Sequence, residues 1–218
     1  MDSIKISVFT FFLLALAGCG GGSSSGGGQD ATDTDKMEEA TAEASETPEL
    51  ERLIVVIGDS IGTGFGASRA FPEMLQALTG IRVLNVSAGG TSAEFGAGRA
   101  PDLINRFRPM YLVALLGTNN ATGAGGGVSG AVNSLQSVAD IANREGVIAV
   151  IGTIPPITRD ANENDNASAI SSGIRGIRGA RIAPINRTLG AGDIGEDGKH
   201  PNDSGQQKIA ILFAQQIF

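Results

Sequence analysis

Tryptophan is absent from this 218-residue chain, and cysteine, histidine and tyrosine occur once each. The single cysteine, Cys19, leaves no partner for a disulfide within the chain. Aromatic residues make up 5% of the sequence, too few to build a broad platform for stacking sugar rings. Basic residues are outnumbered, 16 Lys and Arg against 23 Asp and Glu, for a formal charge of −7. No basic patch or Lys/Arg-rich helix pattern appears, so nothing points to a nucleic-acid partner. Long hydrophobic runs are missing too: the apolar stretch 6–17 is too short to remain as a membrane-spanning helix.

That stretch follows Lys5 and ends in Leu16, Ala17, Gly18 and Cys19, the layout of a secretory signal. Its end resembles the lipobox of bacterial lipoproteins, in which cleavage leaves a lipidated cysteine at the new N-terminus. The resemblance implies lipidation of Cys19 and a membrane anchor, and Gly20 in place of an aspartate implies the periplasmic face of the outer membrane. Residues 1–19 are thus expected to be a signal peptide. Residues 20–50 are Gly, Ser, Thr, Ala and acid, a composition that buries too little apolar surface to offset the entropy of ordering. Nine acids from Asp30 to Glu51 crowd this tether, which leaves the domain beyond close to neutral. As a flexible coil it reaches roughly 30 Å.

Residues 51–218 form the expected folded domain. Short apolar runs at Leu53–Ile57, Val83–Val86, Tyr111–Leu116 and Val147–Ile151, with a weaker one at Ile182–Ile185, read as buried strands. Between them Ala131, Leu135, Val138, Ile141 and Ala142 recur at helical spacing, as do Ile209, Leu212, Phe213 and Ile217. Gly80 and Gly146 stand where helices are expected to stop. This alternation predicts an α/β fold, a three-layer α/β/α sandwich around a mainly parallel five-stranded sheet. Functional residues in such folds collect at the carboxyl ends of the strands.

Four strand ends carry chemistry-bearing residues. The first ends in Gly58-Asp59-Ser60-Ile61-Gly62, a serine on a tight turn between glycines able to tolerate strained backbone. The second leads into Asn85-Val86-Ser87-Ala88-Gly89-Gly90, where a glycine N–H can approach a ligand without a side chain in the way. The third leads into Gly117-Thr118-Asn119-Asn120, which presents an asparagine amide at the same edge. Near the C-terminus Asp197-Gly198-Lys199-His200-Pro201-Asn202 holds the only histidine, with an aspartate three residues before it that can fix the imidazole tautomer. Pro201 disfavours helical geometry at His200 and projects it from its loop.

In order and position these segments resemble the blocks of the SGNH, or GDSL-type, hydrolases: Gly-Asp-Ser, then glycine, then Gly-x-Asn, then Asp-x-x-His. The resemblance implies a flavodoxin-like SGNH fold and hydrolysis of carboxyl esters, thioesters or lysophospholipids, with Ser60 as nucleophile, His200 as base and Asp197 as its orienting acid. It implies an oxyanion hole built by Ser60, Gly90 and Asn119, and neither a metal nor a cofactor. The sparse aromatic content favours a small acyl ester or lipid as substrate over polysaccharide. Two departures stand out: many relatives carry aspartate where this chain has Asn120, and the paired Gly89 and Gly90 leave the backbone donor ambiguous by one position. The glycine-rich stretch Gly123–Gly130 is expected to form a mobile rim.

Three other readings compete. Gly58 to Gly62 fits the Gly-x-Ser-x-Gly elbow of α/β-hydrolases, but there the elbow follows several earlier strands and acid and base lie on separate loops. A phosphate-binding loop at Gly58, Gly62, Gly64 and Gly66 misses the Gly-x-Gly-x-x-Gly spacing and lacks an acid after the second strand. A catalytically silent lipoprotein of the same fold, binding an acyl or glycan ligand, differs in having no activated serine.

Overall fold

The apolar runs pair side by side as five parallel strands in a computed structural model that describes residues 52–218. The signal segment with Cys19, the tether 20–50 and Glu51 lie outside the described residues. The strands are β1 (Leu53–Gly58), β2 (Arg82–Asn85), β3 (Tyr111–Leu115), β4 (Ile148–Gly152) and β5 (Ala180–Ala183), in the order β2-β1-β3-β4-β5. Every residue of β1 and β3 is buried, because helices cover both faces of the sheet. β2 departs from the buried strand expected: as an edge strand it exposes Arg82 and Asn85 and half-buries Val83 and Leu84. β5, the opposite edge, begins two residues before the run Ile182–Ile185, and Ile185 starts a helix instead.

The helices are α1 (Phe71–Thr79), α2 (Ala93–Gly98), α3 (Ala100–Phe107), α4 (Thr118–Ala121), α5 (Gly127–Arg144), α6 (Ala161–Ile174), α7 (Ile185–Thr188) and α8 (Asp203–Ile217), with a 3₁₀ turn at Ala191–Asp193 before the last. Strand periodicity divides the core in two. Val55 and Ile57 of β1 join Leu112 and Ala114 of β3 in packing against Leu135 and Val138 of α5 and Ile170 and Ile174 of α6. Their neighbours Ile54, Val56, Val113 and Leu115 face the other way, onto Phe71 and Leu75 of α1 and Ile209 and Phe213 of α8. The Phe71 and Phe213 rings stack with centroids 5.3 Å apart. Each such fully buried side chain contributes about 1.5–3 kcal/mol relative to exposure.

Local chemistry sets the helix ends. Gly80 ends α1 in the left-handed region at φ 67°, and Gly146 follows α5 at φ 71°. Asp160 caps α6 by accepting from the Glu163 N–H at 2.9 Å, and Asn202 caps α8 by accepting from the Gly205 N–H at 3.1 Å.

The connection after β1 runs to the α1/α8 face, whereas that after β3 runs to the α5/α6 face. Chain direction thus diverges at the β1/β3 boundary, opening a crevice beyond their carboxyl ends. Ser60 follows β1 and Asn119 follows β3, so the fold brings the two flanks of one crevice to residues 59 positions apart in sequence.

Candidate active site

The serine turn is built by the backbone it interrupts. After Gly58 the Asp59 carboxylate accepts from the Ile61 N–H at 2.9 Å, and the Ser60 carbonyl accepts from the Phe65 N–H at 3.0 Å and the Thr63 hydroxyl at 2.9 Å. The flanking glycines serve a purpose other than the strain expected of them. Neither Gly58 nor Gly62 has a positive φ; the left-handed residues are Gly64 and Gly66, at φ 78° and 81°. What excludes a side chain at 58 and 62 is Ser87, whose Oγ lies 2.6 Å from an ideal Cβ on Gly58 and 2.2 Å from one on Gly62. The segment after β2 therefore presses into the serine turn, and Asn85 reinforces it by donating to the Gly62 carbonyl at 2.8 Å.

His200 reaches this turn from the loop before α8. Its Nε2 lies 2.8 Å from Ser60 Oγ, and its Nδ1 faces the Asp197 carboxylate in a short hydrogen bond. The same carboxylate accepts from the backbone N–H groups of Lys199 at 3.0 Å and His200 at 2.9 Å, so the loop is wound around its own acid. Partial burial works to raise the Asp197 pKa, but the His200 ring and these two N–H donors outweigh it and hold the carboxyl at about 2. The loop is clamped from outside by an antiparallel bridge between Ile194 and Pro201 and by the Thr158 N–H, which donates to the Gly198 carbonyl at 2.8 Å. The Gln206 amide, fully buried, donates to the Ile61 carbonyl at 3.0 Å and accepts from the Phe71 N–H at 2.9 Å, tying α8 to the serine turn. Phe65, largely exposed, lies against the imidazole with ring centroids 4.6 Å apart.

Among the described residues the backbone N–H groups of Ser60, Gly89 and Gly90, like that of Gly62, stand near the ends of β1 and β2 without a protein acceptor. Gly90 holds the left-handed conformation, φ 76°, that its turn requires, and Gly89 does not. The Asn119 side chain is fixed at both ends, its Nδ2 donating to the Thr91 carbonyl at 3.0 Å and its Oδ1 accepting from Lys199 Nζ at 2.9 Å. One Nδ2 hydrogen remains for a ligand.

Around this centre the structure gives two motif residues, Asp59 and Asn120, surroundings that the motifs alone did not show, and adds Glu94. Asp59 is buried, its Oδ2 has no partner, and burial pushes its pKa up to about 6 despite the Ile61 N–H and the nearby Lys199 charge. Asn120, also buried, accepts from the Ala93 N–H at 2.9 Å and donates to Glu94, 3.0 and 2.9 Å from its two carboxylate oxygens. A carboxylate at 120 would instead face the carboxylate of Glu94. Burial tends to raise the Glu94 pKa, but the Asn120 amide and the Gly126 N–H, which donates at 2.8 Å, prevail and lower it. The same contact corrects the expected rim: Gly127–Gly130 form the first turn of α5, and Gly126 is held by Glu94, leaving only 123–126 as connection. Among the described residues, no group of three or more His, Cys, Asp or Glu side chains is arranged to hold a metal ion.

No protein-family model matches the chain. In sequence it is 26% identical over 175 residues to thioesterase 1/protease 1/lysophospholipase L1 of Escherichia coli K12, covering 75% of this chain and 82% of the relative. In fold it matches the crystal structure of TesA with a TM-score of 0.65 at 23% identity, over 76% of this chain and 98% of that one. These likenesses support the SGNH, or GDSL-type, hydrolase family. An acetylxylan esterase from Geobacillus stearothermophilus superposes with a TM-score of 0.66 at 14% identity, and a lipase/acylhydrolase from Enterococcus faecalis with 0.65 at 18%, each over 76% of this chain and at least 94% of theirs. The five-stranded parallel sheet between helices is the SGNH fold, and the relatives and neighbours are esterases, lipases and thioesterases, hydrolases of ester bonds. Of the residues that the SGNH pattern singles out, Ser60, His200 and Asp197 lie in one hydrogen-bonded line. Asn119 stands across the crevice, joined to the histidine loop by Lys199. Lys199 and Thr91 were the contacts that sequence reasoning missed; the only available signal was a charged residue immediately before the histidine, where neighbouring side chains on a turn diverge.

Proposed function

We propose that this protein is a serine esterase that cleaves carboxyl ester, thioester or lysophospholipid bonds through an acyl-enzyme. The observation that carries the reading is the 2.8 Å contact between Ser60 Oγ and His200 Nε2, with Asp197 on the opposite ring nitrogen. Asp197 keeps the proton on Nδ1, which leaves Nε2 as the acceptor. As Ser60 Oγ bonds to the carbonyl carbon, its proton passes to Nε2, and the negative charge on the carbonyl oxygen falls to the N–H groups of Ser60 and Gly90 and the spare Nδ2 hydrogen of Asn119. Collapse breaks the ester bond, with His200 returning the proton to the departing alcohol or thiol. A water deprotonated by the same nitrogen then adds to the acyl carbon, and the acid leaves as Ser60 regains its proton.

The relative from E. coli, a thioesterase and lysophospholipase by name, favours small acyl esters, thioesters and single-chain lipids as the substrate class. A silent binding role has less support, because a binding module has no use for a hydroxyl held on an imidazole. We further propose that Cys19 is lipidated, with residues 1–18 removed so that it becomes the N-terminus, and anchors the domain through the acidic tether 20–50 to the periplasmic face of an outer membrane. Hydrolysis of p-nitrophenyl acetate, butyrate and octanoate by wild type and Ser60→Ala tests the reaction. Equal rates from the two proteins on every ester would sink it. Metabolic labelling with a clickable palmitate analogue, abolished in Cys19→Ala, tests the anchor.

A further inference from the structure

We propose that Lys199 is a positioning residue for the oxyanion hole, holding the Asn119 amide in its productive orientation and setting a positive charge behind it. The inference rests on the esterase reading above and assigns a role to a side chain between the acid and the base of the triad.

An asparagine amide presents two ends of similar shape, and only its partners decide which end faces which way. Here the partners leave no ambiguity. The Thr91 carbonyl can only accept and the Lys199 ammonium can only donate, at 3.0 and 2.9 Å. A flipped amide would set NH₂ against NH₃⁺ and oxygen against oxygen, losing both bonds. The amide nitrogen, with its one uncommitted hydrogen, therefore lies on the side of the Gly90–Thr91 segment, which carries the proposed donor Gly90. Both partners of Asn119 come from segments that already carry proposed catalytic groups: Thr91 follows Gly90, and Lys199 precedes His200.

The ammonium also changes the electrostatics. Hydrogen-bonding to Oδ1 polarises the amide and makes its N–H a stronger donor, an effect that grows as negative charge develops on the substrate oxygen. The buried Asp59 carboxyl feels the Lys199 charge as well, which places the ammonium within electrostatic reach of the serine turn. The Lys199 backbone is fixed, since its N–H donates to the same Asp197 oxygen that receives the His200 N–H. One carboxylate thus sets the base and, one residue earlier, the group that aims the oxyanion donor.

Steady-state hydrolysis of p-nitrophenyl butyrate by the full-length protein tests this, comparing wild type, Lys199→Met, Lys199→Gln, Lys199→Arg and Ser60→Ala. Removing an oxyanion donor outright costs about 10²- to 10³-fold in rate, so misaiming one is expected to lower kcat about 10- to 100-fold in Lys199→Met, with KM within about twofold. Lys199→Gln, which can still donate to Oδ1 without the charge, is expected to fall between, and Lys199→Arg to recover most of the rate. Labelling of Ser60 by a fluorophosphonate should slow in the same order, with melting temperatures near wild type. Lys199→Met turning over as fast as wild type, or a loss seen only in KM and not restored by arginine, would overturn the role of Lys199 while Ser60→Ala still reports an intact esterase. Ser60→Ala matching wild type would instead remove the esterase reading, and the inference with it.

Discussion

Ser87 Oγ occupies the space that a methyl group on Gly62 would need, 2.2 Å from the position of its Cβ. Because Gly62 has an ordinary backbone conformation, the requirement for glycine there comes from a neighbour and not from its own φ. Gly62→Ala is expected to cost about 1–3 kcal/mol as an overpacked site and to lower esterase activity by shifting the serine turn. Ser87→Gly in the same chain should restore both, because it removes the Oγ and the Cβ that crowd the position. Urea denaturation of the two single variants and the double variant checks this; equal losses with and without Ser87 would show the crowding to be irrelevant.

Loss of the proposed triad should follow the chemistry of each member. Ser60→Ala and His200→Ala are expected to reduce kcat by several orders of magnitude, and Asp197→Asn by up to about 10⁴-fold through the wrong tautomer. Asp197, held at about 2, remains ionised through the range in which esterases are assayed, so its titration should not shape the acid limb of the pH–rate profile. Rates measured from pH 4 to pH 9 in wild type and Asp197→Asn test the assignment.

Asp59 gives a stability prediction with a definite sign. Its folded pKa of about 6 exceeds the ordinary value of 3.8, so between those values the folded chain keeps a proton that the unfolded chain has lost. The contribution of this group to stability therefore falls as pH rises from about 4 to about 6 and stays low above that. The difference between the two values corresponds to about 3 kcal/mol. Asp59→Asn cannot titrate, so its stability relative to wild type should improve by about that amount between pH 4 and pH 7. Denaturant melts at the two pH values, with a variant-minus-wild-type difference that does not change, would refute it.

Asn120→Asp should behave as a mismatch in this chain. It would trade a donor to Glu94 for a second carboxylate about 3 Å away, at an expected cost of about 1–3 kcal/mol at pH 7. Adding Glu94→Gln should recover most of the loss, as should lowering the pH to 5. Thermal melts of the four proteins in this double-mutant cycle measure the coupling.

The five strands and the helices on both faces of their sheet were legible in the sequence because continuous apolar runs and helical spacing speak directly through Leu53 to Ile57, Tyr111 to Leu115 and Leu135 to Ala142, whereas the strand order was not. Edge strands were less so. Val83 and Leu84 look like core in a linear reading, and only their place at the margin of the sheet leaves them half-exposed. The approach of His200 to Ser60 followed from there being one histidine and one glycine-flanked serine at strand ends. The contacts of Lys199, Glu94 and Ser87 were not legible, since each depends on which loop lies opposite, a matter of three-dimensional packing that no local spacing encodes. Gly123 to Gly130 misled for the opposite reason: glycine content signals freedom, but Glu94, distant in sequence, supplies an acceptor that fixes part of it.

Ser60 and His200 are 140 residues apart, and the buried Gln206 amide that braces the serine turn comes from the final helix. A ribosome releases the proposed nucleophile long before its proposed base. Throughout synthesis the growing polypeptide thus carries an ordinary alcohol at position 60, no more reactive than any other serine, and hydrolytic power arrives only when the last fifteen-residue helix docks. Loss of that C-terminal segment by proteolysis would disarm the protein in one cut while leaving Ser60 in place.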